Sequence, residues 1–516
     1  MPFARRLATA ALAAASLACA QRPAAEAGSF ADGQAAVARA RALLPPGTRA
    51  RNVILFVGDG MGLSTITAAR ILEGQRRGES GEENHLAFED LPYVALSKTY
   101  SVNLQVSESA ATMTAMMTGA KTKGDVVGLD ATAVPGDWTT AAASRARTLF
   151  EEARAHGLAT GVVTTTRITH ATPAACYAHV AHRDWEDDAH LPEAARAAGF
   201  PDIARQLVES DVIDVALGGG RAQFMPETAR DPEYPGASGA RLDGRDLIAE
   251  WQARHPDGAY VWSREQMVAV DAKRASRLLG LFEPSHMNFE ADRAQDAAGE
   301  PSLAEMTAKA IDLLDRNPRG FLLMVEGGRI DQAHHLGNAY RALGETIAFS
   351  DAVRMALRMT DPKDTLIVVT ADHSHVLTMA GYPARGNDIL GLVVSVDEKG
   401  EREKEPMRDA SGLPFTTLSY ANGPGYTGAS PEQAEGSKHY PHVPSGYRGI
   451  HKGRPNLTHV DTTDPGYLQE ATVPARNDTH AGEDVPIYAG GPGAELFHGV
   501  QEQSYVFHAI EAALGW

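Results

Sequence analysis

Short apolar runs, each closed by small or acidic residues, recur along the chain and predict its architecture. Asn52-Val-Ile-Leu-Phe-Val57, Thr160-Gly-Val-Val-Thr-Thr-Thr166, Val212-Ile-Asp-Val-Ala-Leu217, Phe321-Leu-Leu-Met-Val325 and Thr365-Leu-Ile-Val-Val-Thr370 are rich in branched aliphatic residues. Such runs predict strands buried on both faces, as in a large, mostly parallel α/β sheet flanked by helices.

What stands just past each run is polar. Asp59 follows the first within Gly58-Asp-Gly-Met-Gly62, His170 and Thr172 follow the second, Glu326 closes the fourth, and Asp372 and His373 follow the fifth. The carboxyl ends of parallel strands share one edge of an open sheet, so these residues are expected to line one crevice. Gly327 and Gly328 end the fourth run, and a helix is expected after them. Asp331 and His335, four apart, would share a face of that helix, which suits either a solvated ion pair or two ligands of a zinc ion. Carboxylates crowded in one crevice repel strongly without cations, which favours bound metal for the group as a whole. Thr479-His-Ala-Gly-Glu-Asp-Val485 resumes the strand-like pattern and adds His480.

Two helix starts carry further chemistry. Ser109, in Val106-Ser-Glu-Ser-Ala-Ala-Thr-Met-Thr-Ala115, is either a helix cap or a hydroxyl facing free N–H groups, placed to attack phosphorus. Pro173 fits the first turn of a helix expected over Ala174–His182 and ending near Arg183. On that helix Cys176 reads as a small buried residue, and His179 and His182 as surface or supporting residues. Gly218-Gly-Gly-Arg221 reads as a tight turn ahead of an anion site.

Composition narrows the partners. The 48 Lys and Arg against 66 Asp and Glu give the 516-residue chain a net charge of −18, which argues against a polymeric nucleic acid partner. That length allows about three domains, or one large α/β domain with insertions. Arg5 and Arg6, the Ala/Leu run Leu7–Leu17 and Ala18-Cys-Ala20 predict a cleaved export signal over residues 1–20. Lipid anchoring through Cys19 is the second reading. The product would be periplasmic or secreted, without a transmembrane segment, and with Cys176 alone it would have no internal disulfide. Residues 21–50, Ala-rich with Pro45-Pro46, read as a tether leading into an early helix. Residues 381–478 turn to Pro, Gly, Tyr and Ser with little periodicity and read as an insertion or small subdomain.

Val57-Gly-Asp-Gly-Met-Gly62, Glu108-Ser-Ala110, Thr166-Arg-Ile-Thr-His-Ala-Thr172, Val325-Glu-Gly-Gly-Arg-Ile-Asp331, Thr370-Ala-Asp-His-Ser-His375 and Thr479-His-Ala-Gly-Glu-Asp484 resemble, in order and spacing, the alkaline phosphatase family. The likeness is to its animal-type branch and runs from about Asn52 to the C-terminus. It implies a catalytic α/β domain over 51–380 and 479–516, and a crown-like insertion over 381–478. It further implies a homodimer in which Tyr382 crosses to the partner, and hydrolysis of phosphate monoesters at alkaline pH through a phosphoserine. Carried over by residue, it makes Ser109 the nucleophile and Arg183 the grip on the phosphate oxygens. Asp331, His335 and His480 would hold one zinc; Asp59, Asp372, His373 and Ser109 would hold a second. Asp59 would bridge to a magnesium held also by Thr172 and Glu326, with His170 in or beside its shell. His375 would support the zinc pair. Glu108 stands where the family has Asp and would orient Arg183 through a longer arm. Glu233, the Phe282 carbonyl, Glu283 and Glu300 match a calcium site of the animal-type branch.

Two rival readings use the same residues: a phosphodiesterase of the same superfamily, and a non-catalytic exported phosphate or metal binder. The Arg183 fork suits the terminal phosphoryl group of a monoester, and a binder needs no nucleophile at a helix start.

Overall fold

Strands form where the apolar runs lie, and they assemble because both of their faces find helices to bury against. The computed structural model describes residues 30–43, 49–448 and 453–516; the expected export signal lies outside them. The first strands are β1 (Asn52–Gly58), β2 (Tyr93–Lys98), β3 (Ala159–Arg167), β4 (Val215–Gly219), β5 (Ala259–Val261) and β6 (Leu278–Leu281). They are followed by β7 (Phe321–Gly327), β8 (Thr365–Ala371), β9 (Ser374–His375), β10 (Leu377–Met379), β11 (Leu418–Gly423) and β12 (Lys438–His439). The last are β13 (Tyr467–Leu468), β14 (Ala471–Pro474), β15 (His480–Ala481), β16 (Val485–Gly490) and β17 (Gly499–Glu502).

Ten of these form one sheet in the order β17-β2-β16-β8-β1-β7-β3-β4-β6-β5. Only β16 runs antiparallel to its neighbours β8 and β2, so the sheet is mostly parallel. Alternate side chains of the central strands go to opposite faces: Val53, Leu55 and Val57 join one core, Ile54 and Phe56 the other. β7 and β8 divide in the same way, with Leu322, Met324, Leu366 and Val368 on one side and Leu323, Val325, Ile367 and Val369 on the other. This two-sided burial is why their sequences lack a polar stripe.

Register then fixes the site edge. Val57 lies opposite both Glu326 and Thr370, and Thr164 lies opposite Glu326. Asp59, Glu326 and Asp372 therefore emerge side by side from adjacent strands.

Three expectations change. The fourth strand begins at Val215 rather than Val212, because the Val212 carbonyl is taken by the Thr160 hydroxyl and Asp214 N–H by the Thr160 carbonyl. The helix expected over Ala174–His182 is only the turn Ala171–Ala174. Beyond it Val180 pairs antiparallel with Val127, and this exchange of backbone hydrogen bonds ends the helix. Around 479–485 the strand is split: β15 pairs with β9, and the large sheet is rejoined only at Val485. At Gly218-Gly-Gly-Arg221 the chain turns through Gly220 at φ 95°, which matches the tight turn expected there, and the weaker anion-site reading falls because the buried Arg221 guanidinium is held by Asp231 at 2.7 and 2.8 Å.

The early helix is present at Phe30–Leu43, where the Phe30 ring meets Phe507 and His508 edge-on. Cys176 is buried. Among the described residues between 381 and 478 none joins the large sheet; β11 and β14 join β10 in a three-stranded sheet and β12 pairs with β13.

The central core makes a direct prediction. Phe56, fully buried, meets Phe349 edge-on with ring centres 5.8 Å apart. Phe56→Ala should lower stability by about 3–5 kcal/mol, read as a lower urea midpoint at unchanged slope.

Candidate active site

The crevice at the carboxyl edge brings together every residue expected there. Asp331 and His335 lie on the helix Arg329–His335 that follows β7, and His480 arrives on β15. His335 Nε2 is 3.4 Å from Asp331 Oδ2, and His480 Nε2 is 3.4 Å from both Asp331 Oδ1 and His335 Nε2. Next to this group, His373 Nε2 lies 3.5 Å from Asp59 Oδ1 and 3.3 Å from Asp372 Oδ2. Ser109 Oγ is 3.2 Å from His373 Nε2 and 3.4 Å from Asp59 Oδ1. On the far side of Asp59, one donor atom each from Asp59, His170 and Glu326 fall within 4.8 Å of one another.

Ser109 is the first residue of its helix and not its cap. The cap is Glu108, whose carboxylate accepts from the N–H groups of Ala110 and Ala111 at 2.7 and 3.0 Å. The expectation of free N–H groups facing the hydroxyl is corrected accordingly. The same carboxylate accepts from Asp125 N–H and, at 2.6 Å, from Arg183 Nη1. Its longer arm therefore still reaches the arginine. Burial works against the charge on Glu108, but Arg183 and three backbone N–H groups outweigh it and lower its pKa. Arg183 Nη2 donates to His170 Nε2 at 3.0 Å, which fixes the plane of the guanidinium.

Electrostatics make this crevice unstable as a set of bare acids. Burial, then Asp372, Asp331 and Glu326, push Asp59 well above the usual carboxylate range. Glu326 is raised to about 7, mainly by burial. Asp59 Oδ2 and Glu326 Oε1 are buried without a well-formed hydrogen bond, beside the buried hydroxyl of Thr172. Buried acceptors without donors are costly, and an oxygen-rich group of this kind fits a hard divalent cation. The imidazole-rich group around Asp331 fits a nitrogen-preferring one.

Several contributors escaped the sequence reading. Asp478 accepts from His375 Nδ1 at 3.1 Å, and its carbonyl accepts from His335 Nδ1 at 2.9 Å. His375, expected as a supporting residue, contacts Asp331 Oδ1 through Nε2 at 2.6 Å and shares a possible ligand group with Asp331, His335 and His480. Thr164 and Thr166 donate to Glu326 Oε2. Asp478 stands two residues before His480, and Thr164 and Thr166 alternate along β3; those spacings were the available signals. His179 is buried, with Nδ1 2.7 Å from the Gly128 carbonyl, and has no place in the crevice, while His182 is partly exposed and stacks near Trp185.

The peripheral acidic group also differs. Glu233 and Glu283 gather with Asp296, whereas Glu300 accepts from Asn288 N–H at 3.1 Å. The Phe282 N–H pairs with the Gly218 carbonyl, which places Phe282 at the end of β6 beside this group. Burial, then Glu233 and Glu300, raise Glu283 to about 8.

The model of the family described as alkaline phosphatase matches residues 50–516. The chain belongs to the alkaline phosphatase family. It is 46% identical over 472 residues to the tissue-nonspecific alkaline phosphatase of Gallus gallus, covering 90% of this chain and 84% of that protein. It is 43% identical to the alkaline phosphatase of Gadus morhua, over 90% of this chain and 92% of that one. The solved alkaline phosphatase of Thermus thermophilus superposes with a TM-score of 0.62 at 26% identity, covering 91% and 92% of the two chains. The protein is thus a phosphate monoester hydrolase, and membership implies metal ions in the groups just described. Neither rival reading gains support.

The His375 contacts predict a pH dependence for metal-stripped alkaline phosphatase. Burial opposes charging of His375, but Asp478 and Asp331 override it and raise the imidazole to about 10. A raised imidazole stabilises fully below its ordinary value of about 6.5 and loses that contribution as pH rises through the folded value. The metal-free parent should therefore melt above His375→Gln at neutral pH, and the gap should close as pH passes about 10.

Proposed function

We propose that this exported alkaline phosphatase works through a phosphoserine on Ser109, with two zinc ions and one magnesium ion at the crevice. The observation that carries this reading is the position of Ser109 Oγ, within 3.5 Å of both Asp59 and His373 and close to the Arg183–Glu108 pair. Asp331, His335 and His480 would hold one zinc, and Asp59, Asp372, His373 and Ser109 the other. Asp59, Thr172 and Glu326 would hold magnesium, with His170 beside them. When bound, these ions neutralise the crowded carboxylates, polarise the phosphoryl oxygens and lower the pKa of hydroxyl and water.

The residues then divide the reaction. Arg183 presents its planar fork to two non-bridging oxygens, with Glu108 and His170 fixing its orientation. Ser109 Oγ gives its proton to solvent and attacks phosphorus in line; the Oγ–P bond forms, the ester P–O bond breaks, and the alcohol departs with a proton from solvent. Water then attacks the phosphoserine from the side the alcohol left, the Oγ–P bond breaks, and Ser109 recovers its proton as inorganic phosphate forms. Alkaline pH favours both deprotonations. Substrates are small phosphate monoesters of broad range, because Arg183 grips only the phosphoryl group.

The leader-like residues 1–20 support export to the periplasm or medium, with a lipid anchor on Cys19 as the second reading; among the described residues no helix is long and apolar enough to cross a membrane. Residues 381–478 would form the crown-like insertion of a homodimer, a role consistent with Tyr382, 81% exposed. Glu233 and Glu283, with Asp296 and with Phe282 and Glu300 nearby, are offered as a calcium site.

Ser109→Ala should keep its metals and fold but lose turnover by on the order of a thousandfold or more, with no phosphoenzyme trapped by acid quench. Near-normal turnover would reduce Ser109 to a structural residue. Elemental analysis of the purified protein should find about two zinc and one magnesium per chain. Exhaustive chelation should abolish activity and lower the melting temperature together; full activity without divalent metal would overturn the assignment.

A further inference from the structure

The geometry points to Thr164, supported by Thr166, as the residue that sets which divalent cation the oxygen cluster accepts, by holding Glu326 to a single free oxygen. The inference rests on the reading of Asp59, Thr172 and Glu326 as a cation site.

Thr164 lies directly opposite Glu326 in the β3–β7 pairing, and Thr164, Thr166 and Glu326 are all fully buried. Thr164 Oγ1 accepts from the Thr166 backbone N–H at 2.8 Å, so its one proton is free for Glu326 Oε2, with which it makes a very short contact. Thr166 Oγ1 stands 3.1 Å from the same oxygen, 3.0 Å from the Arg167 carbonyl and 2.8 Å from Thr164 Oγ1, so its one proton is shared among acceptors and Thr164 is the main donor. Oε1 is left buried and without a well-formed hydrogen bond.

A Cβ at Gly218 would come within 2.6 Å of Thr164 Cγ2. A Cβ at Gly328 would come within 2.2 Å of Thr166 Cγ2 and 2.6 Å of Glu326 Oε1. The glycines let neighbouring backbone close over the threonine methyls.

With one lone pair of Oε2 taken by the Thr164 hydroxyl, Oε1 is the stronger donor and the carboxylate leans toward one-oxygen binding. Magnesium, small and octahedral, takes one oxygen from each carboxylate; calcium, larger and with six to eight ligands, gains from two. Thr164 thus favours magnesium by weakening the second oxygen as a ligand. Thr164→Val keeps the shape, removes the proton and releases Oε2.

The test uses zinc-loaded protein freed of magnesium by dialysis, titrated with magnesium or calcium in a calorimeter, with the melting temperature as a second readout. Glu326→Gln supplies the baseline for calcium bound elsewhere, including at Glu233, Glu283 and Asp296. The ratio of magnesium to calcium affinity should fall about tenfold or more in Thr164→Val, the scale expected when a ligand's hydrogen-bond partner is lost. It should fall less in Thr166→Val and hold in Thr164→Ser. Thr164→Ala, which removes the same proton with less bulk, must show the same fall and serves if the valine variant folds poorly. An unchanged ratio, or equal weakening of both ions, overturns the proposal. If Glu326→Gln binds magnesium like the parent, the cation-site reading itself fails, and this inference with it.

Discussion

Repulsion among buried carboxylates is the constraint on which the rest of this molecule depends. Parallel strands must end on a common edge, and here adjacent strands end in Asp59, Glu326 and Asp372, with Asp331 one helical turn away. Burial raises the cost of charge on Asp59, Glu326 and Asp372, and neighbouring acids raise it again, whereas His335, His375 and His480 hold Asp331 well below the usual carboxylate range. Such an edge stays ionised at neutral pH only where cations or protons offset its charge. The strong hydrophobic sheet beneath, sealed on both faces, supplies the rigidity that keeps the acids from moving apart.

Around that edge the protein spends a second set of residues on orientation. Glu108 closes a helix end and steadies Arg183 with one carboxylate. Asp478 reaches two histidines, one through its side chain and one through its carbonyl. Such double use is economical in a buried site, because each polar atom brought in needs a partner. It also makes single substitutions here hard to interpret, since one change disturbs two alignments.

The sheet and its polar edge were legible because they depend on local signals: apolar runs, the glycines that end them, and the acids that follow. Asp59, Glu326 and Asp372 could be placed on one edge from strand order alone. The supporting residues could not. Asp478 acts on His375 from 103 positions away, and its spacing from His480 marks it as a site residue without revealing that partner. The helix expected after Pro173 failed for a similar reason: its residues suit a helix, but Val180 is claimed by Val127, a partner distant in sequence. Glu300 and Asp296 show the limit again, since both are acids in one loop and only the folded backbone decides which joins Glu233 and Glu283.

The contact between His375 and Asp478 has a topological meaning as well. The chain leaves the catalytic edge at β9 and comes back at β15, and these two strands pair with each other. Gly423, where a Cβ would come within 3.2 Å of Asp478 Cβ, and the Asn422–Thr479 hydrogen bonds at 2.9 Å clasp the same junction from the side. Everything between is an excursion whose two ends are already joined. Lengthening such an excursion costs little, about 0.6 kcal/mol of closure entropy for each doubling. Apart from Asn422, Gly423 and Asp478, which hold the junction, residues within it are therefore free to diversify in length and surface without shifting His375 or His480, which makes this stretch the natural ground for divergence among relatives that share one chemistry.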